Sequence, residues 1–257
     1  MGHQFIVLAH GESPYLASCL DSLLAQTVGS SILITTSTPC AHVERIAASY
    51  KIAVHVNPSS GGIAADWNFG LANASEDFVT LAHQDDIYYP EFGEVTRSLF
   101  QMRSPASISF TDYEEIDATG KKLKAGRVII IKRLLRDLAL ASGNSADKRW
   151  RRQLLLAFGD PILCPSVTLN MALIPSFRFS EEFEINLDWD AWWRLHVIDN
   201  PFVLSRRRLM AHRIHLRAET SVGKSDGRRK KEDRAMFQRI WPKPIASALA
   251  TFYKIGY

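Results

Sequence analysis

Asp85 and Asp86 stand side by side just beyond the apolar run Phe78 to Leu81, in the stretch His83, Gln84, Asp85, Asp86. A buried strand fixes its backbone while its exit loop opens to solvent, so carboxylates there suit a hard cation such as Mg2+ or Mn2+ beside a substrate phosphate. Aspartate is also a common turn and cap residue, and taken alone the pair reads more readily as a solvated turn. A second acidic group, Asp188 and Asp190, flanks Trp189 and precedes Trp192, Trp193 and Arg194. On a helix these two acids point about 200° apart, so they have different surroundings and different tasks. Asp188 is read as the chemical member and Asp190 as solvent-facing, with the tryptophans chiefly packing the core.

The elements that must position these groups alternate between strand and helix. Gln4 to Leu8 reads as a strand and Pro14 to Gln26 as a helix with an apolar stripe of Leu16, Cys19, Leu20, Leu23 and Leu24. Ser31 to Thr35 and Ala53 to Val56 are further strands, His42 to Tyr50 and Ile63 to Ala72 further helices, and Phe78 to Leu81 the next strand. Units of this kind pair in parallel, which collects several loops at the carboxyl edge of one sheet, where ligands bind in open α/β folds. His10 to Ser13, Thr35 to Pro39 and His83 to Asp86 all fall on that edge. The second half is less regular: Pro90 to Met102, Arg127 to Ala141 and Arg149 to Phe158 read as helices, Ser107 to Phe110 and Val167 to Met171 as strands. Ser142 to Asp147 reads as a flexible link and Gly159 to Pro165 as a loop.

Composition narrows the class. The chain has 257 residues, 46% of them hydrophobic, enough for a sizeable core. No apolar segment approaches the roughly 20 residues needed to cross a bilayer, and no signal peptide is expected. Cys19, Cys40 and Cys164 are too scattered for a disulfide framework or a zinc cluster, which favours a cytoplasmic setting. The net charge of +4 is uneven, with clusters at Lys148 to Arg152, Arg206 to Arg208 and Arg228 to Lys231. Such clusters suit nucleic acid, an anionic membrane or a phosphorylated substrate, and equally a set of solvated faces. Gly61 and Gly62 form no phosphate-cradling pattern and read as a turn.

Phe5 to Thr27 (FIVLAHGESPYLASCLDSLLAQT) resembles the opening strand and helix of the family 2 glycosyltransferases. The resemblance continues through Asn57 to Asp86, resumes at Asp188 to Leu195, which is similar to that family's acidic catalytic motif, and ends with Arg213 and His215 as a late Arg-x-His element. It implies a GT-A fold: an α/β domain over residues 1–220 with a Rossmann-like, mostly parallel central sheet flanked by helices. Residues 1–115 would be the nucleotide-sugar half, 116–220 the acceptor half and 221–257 a basic helical extension. By position, Asp188 matches the catalytic base and Asp85 the metal-coordinating Asp of the DXD motif, with His215 assisting the metal and Arg213 the leaving diphosphate. Ala9, His10, Gly11, Glu12, Thr36, Ser37, Asp66, Asn68, His83, Gln84 and Asp86 fall in donor-contacting segments. Asp112, Trp189 and Trp192 are candidates for the acceptor side.

The implied reaction is inverting transfer from a nucleotide sugar, UDP first among the bases, to a hydroxyl of a saccharide or lipid-linked acceptor in bacterial surface polysaccharide synthesis, with Mn2+ or Mg2+ as cofactor. The tail from Arg228 to Tyr257 is a candidate for peripheral contact with the inner membrane, with Met236, Phe237, Ile240, Trp241, Leu249, Phe252 and Tyr253 as apolar anchors. Five positions depart from the family pattern: His83 replaces an acid, Thr35 and Thr36 stand where acids often meet the base, Trp67 replaces an Arg and Leu187 a Glu. These keep an inactive glycosyltransferase-like scaffold as an alternative. A nucleic-acid-binding module is the weaker competitor, since it calls for a basic stripe with exposed aromatics rather than acids on the sheet edge, and no nucleic acid is expected.

Overall fold

The computed structural model describes residues 1–59, 61–102, 105–141, 143–215 and 227–253. Its first half alternates as the sequence predicts: β1 (His3–Leu8), α1 (Leu16–Leu24), β2 (Ser31–Thr36), α2 (Ala41–Tyr50), β3 (Val54–Val56), α3 (Ile63–Ala72) and β4 (Phe78–His83). The chain continues through β5 (Ile87–Tyr88), α4 (Phe92–Met102), β6 (Ile108–Ile116), α5 (Arg127–Leu140), β7 (Ser145–Ala146), α6 (Arg149–Ala157) and β8 (Val167–Asn170). It closes with α7 (Leu187–Leu195), β9 (Phe202–Arg213), α8 (Arg228–Ile240) and α9 (Lys243–Tyr253). One sheet runs β3-β2-β1-β4-β8-β6-β9-β5, with β7 on β9. β1 pairs in parallel with β2 and β4, β2 with β3, and β6 with β9, while β8 lies antiparallel between β4 and β6.

Burial on both faces explains why β1 is apolar from Phe5 to Leu8. Phe5 and Val7 point into one core with Leu16 and Leu20 of α1 and Val43 of α2. Ile6, on the opposite face, joins a larger core with Trp67 and Leu71 of α3 and Trp189 and Trp192 of α7. Helices on both faces leave the carboxyl ends of β1, β2 and β4 as the open edge.

Several sequence expectations change. β4 runs on to His83, which pairs with Leu8, so only Gln84 to Asp86 lie beyond the ladder. Leu24 is exposed because α1 ends there. β6 reaches Ile116, its polar end disguised by register shifts at Thr111 to Tyr113. The supposed link before Asp147 contains β7, and Arg206 to Arg208 sit within β9. Asp190 is fully buried: Arg194 and Arg239 both pair with it, so it ties α7 to α8 instead of facing water.

The C-terminal helices are not a separable extension. Met236 and Phe237 of α8 and Ala246 and Ala250 of α9 belong to the same core as Trp189. Met236 and Phe237, expected as membrane anchors, are therefore packing residues; among the described tail residues Ile245 and Phe252 are exposed. The expected boundary at 220/221 lies outside the described residues.

Arg152, read in sequence as part of a basic surface cluster, is completely buried in α6. Its guanidinium donates to the carbonyls of Ala146, Asp147, His196 and Ile198 at 2.8–3.1 Å, joining β7 to the end of α7. Arg152→Met should cost about 3 kcal/mol or more, because it strands carbonyls in a dry interior. Urea unfolding checks this; a loss under about 1 kcal/mol would mean that water replaces the guanidinium.

Candidate active site

A cleft of about 530 Å3 opens at the carboxyl edge. Its lining draws on the ends of β1 and β2, the first turn of α3, the exit of β4, the loop at Leu163 to Pro165, the start of α7 and the end of β9. Of the donor candidates, Ala9, His10, Ser37, Asp66, His83, Gln84, Asp85, Asp86 and Arg213 all border it, as do His215 and the proposed base Asp188.

Local chemistry explains the rigidity of this edge. Gln84 closes a two-way bond with His10, its Nε2 donating to the His10 carbonyl at 3.0 Å and its Oε1 accepting the His10 amide at 3.2 Å. Gly11 adopts φ +56, and its amide donates to Thr38 Oγ1 at 2.8 Å, so the β1 exit turns sharply beside the β2 exit. Asp66 accepts from Ser37 Oγ at 2.7 Å and Asn57 Nδ2 at 2.8 Å, which fixes the start of α3.

The two adjacent aspartates have separate roles. Asp86 is buried, and its Oδ1 accepts the Arg213 amide at 2.9 Å and His212 Nδ1 at 3.0 Å. Burial opposes ionisation of Asp86, but His212 and the surrounding donors outweigh it and hold the carboxyl below its ordinary value. Burial likewise disfavours charge on His212, and Asp86 overcomes it, raising the imidazole's pKa. Asp85 is half-exposed to the cleft: Ser13 Oγ donates to its Oδ1 at 2.7 Å, and its Oδ2 lies 3.1 Å from His215 Nε2. Arg213 bonds the Asp85 carbonyl through Nε at 2.8 Å, with its guanidinium 4.4 Å above the Tyr15 ring.

Among the described residues no three His, Cys, Asp or Glu side chains converge as a complete metal cage. Asp85 nonetheless supplies a carboxylate of the kind that, singly or in pairs, holds a cation such as Mg2+ beside substrate phosphates, with the His215 imidazole 3.1 Å away. Burial lowers the pKa of His83 more than the nearby Asp86 raises it. Its ring packs on Trp67 with 5.5 Å between centroids, and Nε2 is buried without a partner among the described residues.

Asp188 sits at the first turn of α7, its Oδ1 accepting the Trp189 amide at 2.8 Å. Burial raises its pKa against the opposing pull of that amide, Arg229 and Lys132. Sequence reasoning missed its neighbour Asp160, whose Oδ1 accepts the Ile162 amide at 2.8 Å while Oδ2 lacks a partner among the described residues. Burial first, then the charge of Asp188, pushes Asp160 well above the ordinary carboxylate range. Both carboxyls are thus held above the ordinary range, Asp160 by burial and then by the charge of Asp188, and Asp188 by burial. The available signal was an acid between Gly159 and Pro161, beside the apolar Ile162 and Leu163.

The structure turns other candidates away from the cleft. Asn68 clamps the Phe179 backbone in both directions, at 2.7 and 2.9 Å. Thr36 is buried, its hydroxyl accepting the Thr38 amide at 3.1 Å. Gly11 and Glu12 stand outside the lining. Asp112 is paired with Arg133 and Arg136, and Trp189 and Trp192 are core residues, so none of the three is placed to meet an acceptor.

This arrangement defines the fold class first. S. aureus TarS, residues 1–349, superposes with a TM-score of 0.66 at 12% identity, over 97% of this chain and 69% of that one. Glucosyl-3-phosphoglycerate synthase from Mycobacterium tuberculosis gives 0.59 at 19% identity, over 93% and 80%. The fold is that of the GT-A glycosyltransferases. The sequence profile of glycosyl transferase family 2 matches residues 4–148, and the chain belongs to that family. An uncharacterized glycosyltransferase of Rickettsia felis is 25% identical over 219 residues, and one of Rickettsia prowazekii 23% over 226. These matches take in 82% and 84% of this chain but only 34% and 65% of the relatives' lengths.

Asp86 and His212 give the site a pH-dependent contribution to stability. The depressed Asp86 pKa means its share is present above about pH 4 and lost as pH falls through the folded value. The raised His212 pKa means its share is full below about pH 6.5 and lost as pH rises through the folded value. Without added cation, Asp86→Asn should cost about 3 kcal/mol between those limits and less on either side. Denaturant unfolding from pH 3 to 9 measures the gap; a flat gap would contradict the ion pair.

Proposed function

We propose that the chain transfers a sugar from a uridine diphosphate sugar to an acceptor hydroxyl, with inversion at the anomeric carbon. The observation that carries this reading is the meeting, in one cleft, of the Asp85–His215 pair with the carboxylate of Asp188, residues far apart in sequence. TarS is crystallised with UDP-GlcNAc, and glucosyl-3-phosphoglycerate synthase with Mn2+, UDP-glucose and phosphoglyceric acid. Those complexes support a uridine diphosphate donor and a divalent cation here.

Asp85 and His215 would hold the cation, which when bound offsets negative charge on the diphosphate. Arg213, its guanidinium already oriented by the Asp85 and Asp117 carbonyls, adds fixed positive charge at the same end of the cleft. Asp188 takes the proton from the acceptor hydroxyl as the new carbon–oxygen bond forms and the bond to the diphosphate breaks, its electron pair leaving with the diphosphate. A single displacement with no covalent sugar intermediate inverts the centre. Burial and the neighbouring Asp188 raise the Asp160 pKa well above the ordinary carboxylate range, which favours Asp188 as the acceptor of that proton. A saccharide or lipid-linked acceptor in bacterial surface polysaccharide synthesis is the biological setting we favour.

Asp188→Asn should lower turnover by roughly 10² to 10⁴ while leaving UDP affinity nearly unchanged. In the parent, kcat/KM should rise with pH along a limb set above the ordinary aspartate value of about 3.9, because Asp188 must be ionised and burial raises its pKa. Release of UDP from UDP-sugars in the presence of saccharide acceptors provides the assay. Parental turnover in the Asn variant would remove Asp188 from the mechanism.

A further inference from the structure

Helix α5 (Arg127–Leu140) is built inside out. Arg133 and Arg136 turn inward and bond Asp112, while Ile130, Ile131, Leu134 and Leu138 turn outward with 57, 55, 69 and 68% of their surface exposed. Positions 130, 134 and 138 repeat at i, i+4 and i+8, which lines them up as one ridge along the helix. Single exposed leucines are ordinary, but a contiguous ridge of large aliphatics marks a contact surface.

The surroundings of the ridge are cationic. From Ala118 to Arg136 the chain contains lysines and arginines but no aspartate or glutamate, and Asp137, the one acid within the span of the ridge, is paired with Arg136 and Arg206. Lys121, Lys124 and Arg127 are exposed just ahead of the ridge. Helix α6, packed beside α5, begins with exposed Arg149 and with Trp150, 57% exposed.

We propose that the outer face of α5, flanked by the start of α6, docks on an anionic lipid bilayer, with Ile130, Leu134 and Leu138 entering the acyl boundary and the neighbouring cations meeting lipid phosphates. An amphipathic helix lying in the interface, rimmed by Lys and Arg with a tryptophan nearby, has the chemistry such surfaces bind. A second copy is the poorer occupant, because a self-complementary contact sets one cationic rim against another. The inner side of α5 carries Lys132, whose charge acts on both Asp160 and Asp188, so docking here brings the catalytic acid within one helix of the lipid. This surface does not depend on the donor assignment.

Sedimentation of the full chain with vesicles of phosphatidylcholine and phosphatidylglycerol, and with phosphatidylcholine alone, tests the proposal. The chain should partition onto the mixed vesicles, less onto the neutral ones, and less again at high salt. Ile130→Ser, Leu134→Ser and Leu138→Ser combined alter only exposed side chains, so the unfolding midpoint and UDP affinity should hold while partitioning weakens roughly tenfold or more. Lys124→Glu with Arg127→Glu should weaken partitioning in the same direction without disturbing the ridge. Absence of binding to mixed vesicles, unchanged partitioning in both variants, or a concentration-dependent dimer dissociated by the serine variant would each overturn the membrane assignment. UDP affinity, read separately, reports on the donor site alone.

Discussion

The buried carboxylate of Asp86 is the contact on which the rest of the site depends. β4 and β9 are not neighbours in the sheet, being separated by β8 and β6. The chain leaves β4 at His83 and within a few residues pairs as β5 with the far side of β9, Ile87 opposite Ala211. Asp86 spans that crossing by accepting the Arg213 amide across 127 residues of sequence, with His212 completing the ion pair. Once that is fixed, His215 can meet Asp85, and Arg213 can reach the Asp85 carbonyl. The adjacent acids thus divide the work: one is sacrificed to structure so that the other faces the cleft.

A second constraint acts on the opposite wall. α7 must bury Trp189 and Trp192 in the main core while presenting Asp188 to the cleft, and the helical repeat allows both. Asp190 then falls inside, where Arg194 and Arg239 neutralise it. The arrangement ties α8 to this wall of the cleft from behind, since it supplies Arg239 to the helix that carries Asp188.

The parallel half was legible in the sequence because its signals are local. β1 and β4 are continuous apolar runs and α1 and α2 carry stripes at helical spacing, so their boundaries fell within a few residues of the observed ones. The carboxyl edge followed from that topology, and with it His10, Ser37, Asp85 and Asp86. β9 escaped because Arg206, Arg207 and Arg208 interrupt its apolar pattern; Arg206 pairs with Asp137 and Arg207 with Glu91, partners distant in sequence. The buried Asp190, Arg152 and Asp160 were misread or missed for the same reason: polar residues look solvated until the tertiary fold supplies their partners. Asn68, Asp112, Trp189 and Trp192 had the right residue types for ligand contact, but backbone clamps, ion pairs and core packing hold them elsewhere.

The central claim is that the Asp85–His215 end of the cleft receives a nucleoside diphosphate together with a divalent cation. Calorimetric titration of UDP into the full chain, with and without Mn2+ and in parallel with Asp85→Ala, measures this directly. Binding should require or be strengthened by Mn2+ in the parent, and the Mn2+ effect should disappear in the variant. Equal UDP affinity with and without Mn2+, or no binding of UDP under either condition, would contradict the account.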